Sequence, residues 1–183
     1  GLPRAPALAH RLDRETSGCL VLGRHRKALA SLGLLFKHGK VEKTYWAVVE
    51  GGPTEDKGTI DVPLGRLDPS RGWWMKPDPA GLPSVTTWTV MGRSTGLATP
   101  LTWPALEPLT GRTHQLRVHC SAMGWPILGD NIYGSGPRFG GPGLHLHARN
   151  IAVPLSKNRD PVRVVAPLPQ HMHARFADCG WAS

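Results

Sequence analysis

Cysteine is scarce in this chain: Cys19, Cys120 and Cys179 stand far apart, and none forms a C-x-x-C pair. Such spacing supports neither a disulfide framework nor a cysteine-rich zinc site, and it suits a reducing, cytoplasmic compartment. Long apolar runs are missing as well. No stretch approaches the roughly 18 residues that span a bilayer, and no basic, apolar and small-residue succession marks a signal peptide. Catalytic signatures of several large classes are also absent. There is no G-x-S-x-G, no H-E-x-x-H, and the glycines of 134–143 lack the Lys-Ser/Thr of a phosphate-binding loop. Nucleotide hydrolysis therefore has no support.

Acidic residues are few, 13 against 22 Lys and Arg, which leaves a net charge of +9 and a pI near 10.1. A compact basic domain fits a phosphate-rich partner. Arginine outnumbers lysine 15 to 7, which suits bidentate phosphate contacts and stacking on bases. With 40% hydrophobic and 19% charged residues, the composition is that of one globular domain with a sizeable core.

Local patterns place the elements. Ser17–Gly23 reads as a short buried strand, and "HRKALASLGLLFKHGK" as a helix with Leu29, Leu32, Leu35 and Phe36 on one face and Gly39 near its end. "KTYWAVVEG" is a strand rich in aromatic and β-branched residues. Within the Pro-, Gly- and Asp-rich stretch 52–82 only "GTIDVPL" looks strand-like. "SVTTWTVMG" and "LATPLTWPALEP" suggest a hairpin across "RSTG". A helix over Thr113–Met123, stopped by Gly124 with Pro126 beyond, would turn Leu116, Cys120 and Met123 to the core and project Arg117 with His114 and Ser121 elsewhere. "LHLHARNIAVPL" and "VRVVAP" close the chain as strands before a short helix. The expected fold class is α+β, one domain with a mixed, largely antiparallel sheet flanked by helices.

Several residues invite chemistry. Asp13 sits in "AHRLDRETSG", flanked by Arg11 and Arg14, and on local grounds alone it reads as a turn or cap residue bonding nearby N–H groups rather than as a catalytic acid. The pairs His114/His119, His145/His147 and His171/His173 suggest metal ligation, but no third ligand or positioned base accompanies them, so hydrogen bonding to the backbone is the competing role. Trp73 and Trp74, beside Arg71 and Lys76, could stack on bases or fold back onto the protein's own core.

Four segments in order, "HRLDRETSG", "KTYWAVVEG", "GRTHQLRVHCSAMGWPILGDNIYG" and "LHLHARNI", closely resemble the RluA family of RNA pseudouridine synthases. The matching signatures are H-R-L-D with T-S-G, K-x-Y-x-A, R-T-H-Q-[IL]-R-V-H and G-x-P-[IL]-x-G-D-x-x-Y-G. The resemblance implies a pseudouridine synthase fold and isomerisation of uridines in ribosomal or transfer RNA. It also implies a monomer that needs no metal and no redox cofactor. By resemblance Asp13 is the catalytic aspartate, Tyr45 the ring against the target base, and Arg117 the partner of Asp13. Arg11 would help fill the space the uridine leaves, and Arg112 and His114 would contact the RNA. Tyr45 could stack or help remove a proton; both roles stand open. A guanidinium within about 4–6 Å would keep a buried carboxylate charged.

Family members carry several dozen residues before H-R-L-D, including an N-K-P motif, whereas nine precede His10 here. The expectation is thus a catalytic domain over residues 1–183 lacking its N-terminal portion. The alternative function is an RNA-binding remnant without catalysis.

Overall fold

The computed structural model describes residues 5–70 and 72–182, so Arg71 lies outside the described residues. The chain first forms β1 (Ala7–Leu8), β2 (Ser17–Gly18), β3 (Leu22–Gly23), α1 (Arg26–Lys37), β4 (Glu42–Ala47) and β5 (Val49–Glu50). It continues through β6 (Lys57–Asp61), β7 (Leu64–Arg66), β8 (Met75–Pro77), β9 (Val85–Arg93) and β10 (Leu101–Pro108). It ends with α2 (Gln115–Ala122), β11 (Leu146–Val153), β12 (Val162–Val165) and α3 (Gln170–Asp178). The main sheet runs β12-β11-β4-β10-β9-β6, with β2 added beside β11 and β5 beside β10. Among the described residues only the β2–β11 pairing is parallel, so the sheet is mixed and largely antiparallel, as the sequence leads one to expect.

Alternation along β4 and β5 divides the core. Ala47 and Val49 pack on one face with Leu106, Leu116, Cys120, Trp125 and Ile127, and Tyr45 lies against that cluster. Val48 and Trp46 turn to the other face, against Trp103, Met172 and Phe176 under α3. A strand carrying apolar side chains to both faces must be covered on both, and α2 and α3 supply the two covers. β10 carries Pro104 at its centre, at the irregularity where the register with β9 shifts between Trp103 and Pro104.

Four local expectations change. Ser17–Gly23 is two short strands rather than one, since β2 joins β11 while β3 turns away to pair with β1. Leu64–Arg66 and Met75–Pro77 pair as the unforeseen hairpin β7–β8. α2 begins at Gln115 rather than Thr113, because His114 holds a left-handed φ of 52° that no helix accepts. Met123, expected in the core, is 47% exposed, and Trp125 and Ile127 of the following segment are buried instead. Gly124 (φ 81°) ends α2 as expected.

Burial lowers the pKa of five imidazoles, His10, His114, His119, His145 and His147, below the ordinary histidine value. Burial is the largest cause in each, because a charged ring loses solvation inside the fold. Each group therefore binds protons more readily in the unfolded chain, so stability is full above about pH 6.5 and is lost as pH falls below it. We expect the melting temperature to hold between pH 7.5 and about 6.5 and to drop from there to pH 5.5. A flat or rising profile in calorimetry would contradict this.

Candidate active site

Asp13 rides on a tight turn in which the Thr16 N–H donates to the Asp13 carbonyl at 3.0 Å. The turn is fastened to the sheet through β2. The Ser17 hydroxyl donates to Nδ1 of buried His147 at 2.8 Å, and the opposite ring nitrogen donates to the Ala166 carbonyl at 3.2 Å. Gly18 lies opposite Ala148 of β11 with φ 114°, and an added Cβ would stand 2.2 Å from the Ala148 carbonyl oxygen. Only glycine satisfies both the angle and the approach. Gly18→Ala should cost at least about 2 kcal/mol and displace the Asp13 turn. Urea unfolding checks this, and a variant as stable as the parent would refute the anchoring role.

Asp13 opens onto a cleft of about 1040 Å³, whose lining includes Arg11, Lys43, Tyr45, Arg112 and His114. The sequence-predicted residues thus come together, with one exception. β4 sets Tyr45 between Ala148 of β11 and Leu106 of β10, so a small neighbour on one side leaves room above the ring. Burial, followed by the negative charge of Asp13, pushes the Tyr45 phenol up to about 12. Tyr45 is therefore a neutral ring near neutral pH, suited to stacking and poorly suited to act as a phenolate base.

Arg117 is the exception. Its buried guanidinium does not pair with Asp13 but donates through Nε and Nη2 to Asp130, at 2.8 and 2.7 Å. The segment after α2 folds back across the helix and covers the stripe from which Arg117 was expected to project. Asp130 also accepts the N–H groups of Ile132 and Tyr133 at 2.9 and 3.0 Å. Burial alone would raise its pKa, but the Arg117 bonds and these N–H donors outweigh it and hold the carboxyl below the usual carboxylate range. Asp13 still acts on Arg117 through its field, as one of the charges that raise the guanidinium pKa against burial.

His114 is the partner the structure places at Asp13, with Nε2 3.9 Å from Oδ1. That separation is close for charges and too long for a hydrogen bond. His114 Nδ1 meets the Tyr133 hydroxyl at 2.8 Å, and that hydroxyl accepts the Met75 N–H at 2.9 Å. The hydroxyl keeps its own proton to donate to Nδ1, and in that tautomer the imidazole proton sits on Nε2, facing Asp13. Among the described residues His114 is the one non-glycine with positive φ. Such backbone strain persists where the surroundings fix it, here through Tyr133. Arg112 lies at the rim, its Nε donating to the Pro83 carbonyl at 3.1 Å, and Arg11 is exposed beside the cleft.

The model of the family described as RNA pseudouridylate synthase matches residues 2–122. The chain belongs to the RNA pseudouridine synthase family. It is similar to a Zymomonas mobilis protein named an uncharacterized RNA pseudouridine synthase, 39% identical over 99% of this chain and 80% of that one. Further bacterial relatives, from Synechocystis and Bacillus subtilis, are matched over only 51–56% of their own length. Among solved structures, human RNA pseudouridylate synthase domain containing 1 superposes with a TM-score of 0.78 at 35% identity, over 90% of this chain and 70% of that one. Human RNA pseudouridylate synthase domain containing 4 superposes with a TM-score of 0.74 at 28% identity, covering 92% and 75%.

The pseudouridine synthase family is one of isomerases, and its motifs gain physical content here. Gln115 of R-T-H-Q satisfies every polar atom it has. Its Oε1 accepts from Thr110 and the Arg112 N–H, and its Nε2 donates to the Val85 carbonyl and the Thr86 hydroxyl oxygen. Asp130, Tyr133 and Gln115 are site-building residues that reading for reactive groups passed over, while His147, weighed there as a metal ligand or a hydrogen-bonded imidazole, is held between the Ser17 hydroxyl and the Ala166 carbonyl. All four stand within the recognised motifs, which was the available signal. His119, also read as a metal candidate, is spent between the Thr86 hydroxyl and the Val62 carbonyl at 2.9 and 3.0 Å.

Proposed function

We propose that this chain, as a monomeric cytoplasmic catalytic domain spanning residues 1–183, isomerises uridines of ribosomal or transfer RNA to pseudouridine without a metal or cofactor. The observation that carries the reading is the half-buried Asp13 carboxylate facing the same cleft as the Tyr45 ring. Two further carboxylates, Glu42 and Glu107, line the cleft; Glu42 is exposed and engaged by Arg163 at 3.0 Å, and the charge felt at the Tyr45 hydroxyl is that of Asp13.

In the reaction the bond from ribose C1′ to uracil N1 breaks, the base turns, and C1′ is rejoined to C5. The C5 proton is released and N1 gains one, so the atoms balance with no oxidant or reductant. Asp13 supplies the anionic oxygen that assists the exchange, and Tyr45 holds the flat base by stacking. Arg117 acts through Asp130 and Tyr133 to position His114, and His114 orients toward Asp13. Arg11 fills the space the target leaves in its stack, and Arg112 meets a flanking phosphate. Extrusion costs a few kcal/mol, which basic contacts to the backbone offset.

The test uses ribosomal and transfer RNA carrying tritium at uracil C5, incubated separately with the full chain and a chelator. Label should be released from at least one of them. Release from neither would remove the reading.

A further inference from the structure

Beside the Asp13 cleft the protein exposes aromatic surface that its core does not use. The hairpin β7–β8 presents Trp73 and Trp74, 65% and 40% exposed, and the 134–143 loop presents Phe139, 88% exposed. Large rings left in water are costly and mark a surface that is covered in use. A second cleft, of about 320 Å³, is lined by Trp74, Phe139, Arg138, Arg14, Arg117 and His114. The Arg138 guanidinium sits 5.6 Å from the centre of the Trp74 ring. Neither Arg14 nor Arg138 has a carboxylate partner among the described residues, and Glu15 is the acidic group on that wall.

Both loops are tied to the catalytic geometry. The Met75 N–H donates to the Tyr133 hydroxyl, and the Leu67 N–H donates to the Trp74 carbonyl at 2.8 Å, closing the hairpin. Asn131 Nδ2 donates to the Arg138 carbonyl at 3.4 Å, holding the second loop to the same Asp130–Tyr133 segment. His114 lines both clefts, and Arg14 directly follows Asp13.

We infer that Trp74, Phe139 and Arg138 form a stacking platform for an unpaired nucleotide next to the target uridine, with Arg14 and Arg138 meeting its phosphates. The inference rests on reading the Asp13 cleft as the uridine pocket. Aromatic faces combined with unpaired guanidinium groups match single-stranded RNA: bases stack on the rings and phosphates meet the cations. A protein partner would use the rings without needing the flanking positive charge, and duplex RNA keeps its bases inside and would use the charge without the rings.

Binding of fluorescently labelled dodecauridylate, and of an RNA duplex of the same length, to the full chain separates these. Trp74→Ala and Phe139→Ala should each weaken dodecauridylate binding roughly 5- to 50-fold and leave duplex binding within about twofold. The salt dependence should be unchanged by either, whereas Arg138→Gln should reduce its slope by about 0.7. Phe139 is nearly free of protein contact, so its variant reports on binding rather than folding. Dodecauridylate binding unaffected by Phe139→Ala, or an equal loss for the duplex, would overturn the platform. Release of C5 label by the parent chain is read separately: its absence with ring-dependent binding intact would remove the isomerase reading and leave the platform standing.

Discussion

Asp13→Asn is expected to lower turnover at least about a thousandfold while leaving RNA affinity within a few-fold. The substitution keeps the shape of the side chain and removes the anionic oxygen, so packing of the turn changes little. The turn itself is held elsewhere, by the Thr16 N–H, the Ser17 hydroxyl and the close approach of Gly18 to Ala148. RNA affinity is expected to come mainly from phosphate contacts spread over the arginines, which the substitution does not touch. Single-turnover measurement with saturating chain separates the two quantities. A variant that still isomerised at a tenth of the parent rate would show that the carboxylate is not the group that assists the bond exchange.

Asp130→Asn should cost about 3–5 kcal/mol of stability, because it breaks a buried, bidentate pair and leaves the Arg117 charge uncompensated. Activity should fall with it, since the same carboxylate takes the Ile132 and Tyr133 N–H groups and so places the Tyr133 hydroxyl against His114. The acid profile adds a signature. The folded Asp130 carboxyl lies below its unfolded value, so its contribution is full above about pH 4 and is lost as pH falls further. Urea titrations of the parent should show that acid-dependent loss, and Asp130→Asn should lack its share. A cost below about 1 kcal/mol would mean that Arg117 finds other partners and that the pair does not brace the site.

Much of the site was legible because its residues follow simple periodicities. Tyr45 faces the cleft for the same reason that Ala47 faces the core: side chains two apart share a strand face. Asp13 could not be judged from its own neighbourhood, where a turn residue among arginines is unremarkable, and it took Tyr45 and the R-T-H-Q-L-R segment to raise it. The partner of Arg117 was not legible. A helical wheel shows that the guanidinium leaves the stripe of Leu116 and Cys120, but not that residues 125–133 fold back over that side and bring Asp130 to it. The left-handed backbone of His114 was hidden for a similar reason, since it is fixed by a hydrogen bond to a residue nineteen positions away. The hairpin β7–β8 lies in a stretch rich in Pro, Gly and Asp, where strand patterns are weakest, and its pairing became visible only in three dimensions. Charge composition pointed to a phosphate-rich partner and no further; the motifs narrowed that partner to RNA.

The central claim is that the Asp13–Tyr45 cleft detaches a uracil and rejoins it through carbon. Its most direct test counts pseudouridine, by nuclease digestion and chromatography of the nucleosides, against tritium released from C5 in the same RNA. One label lost for each pseudouridine formed is the predicted result. Release of label without pseudouridine, or no release from RNA that binds normally, would contradict it.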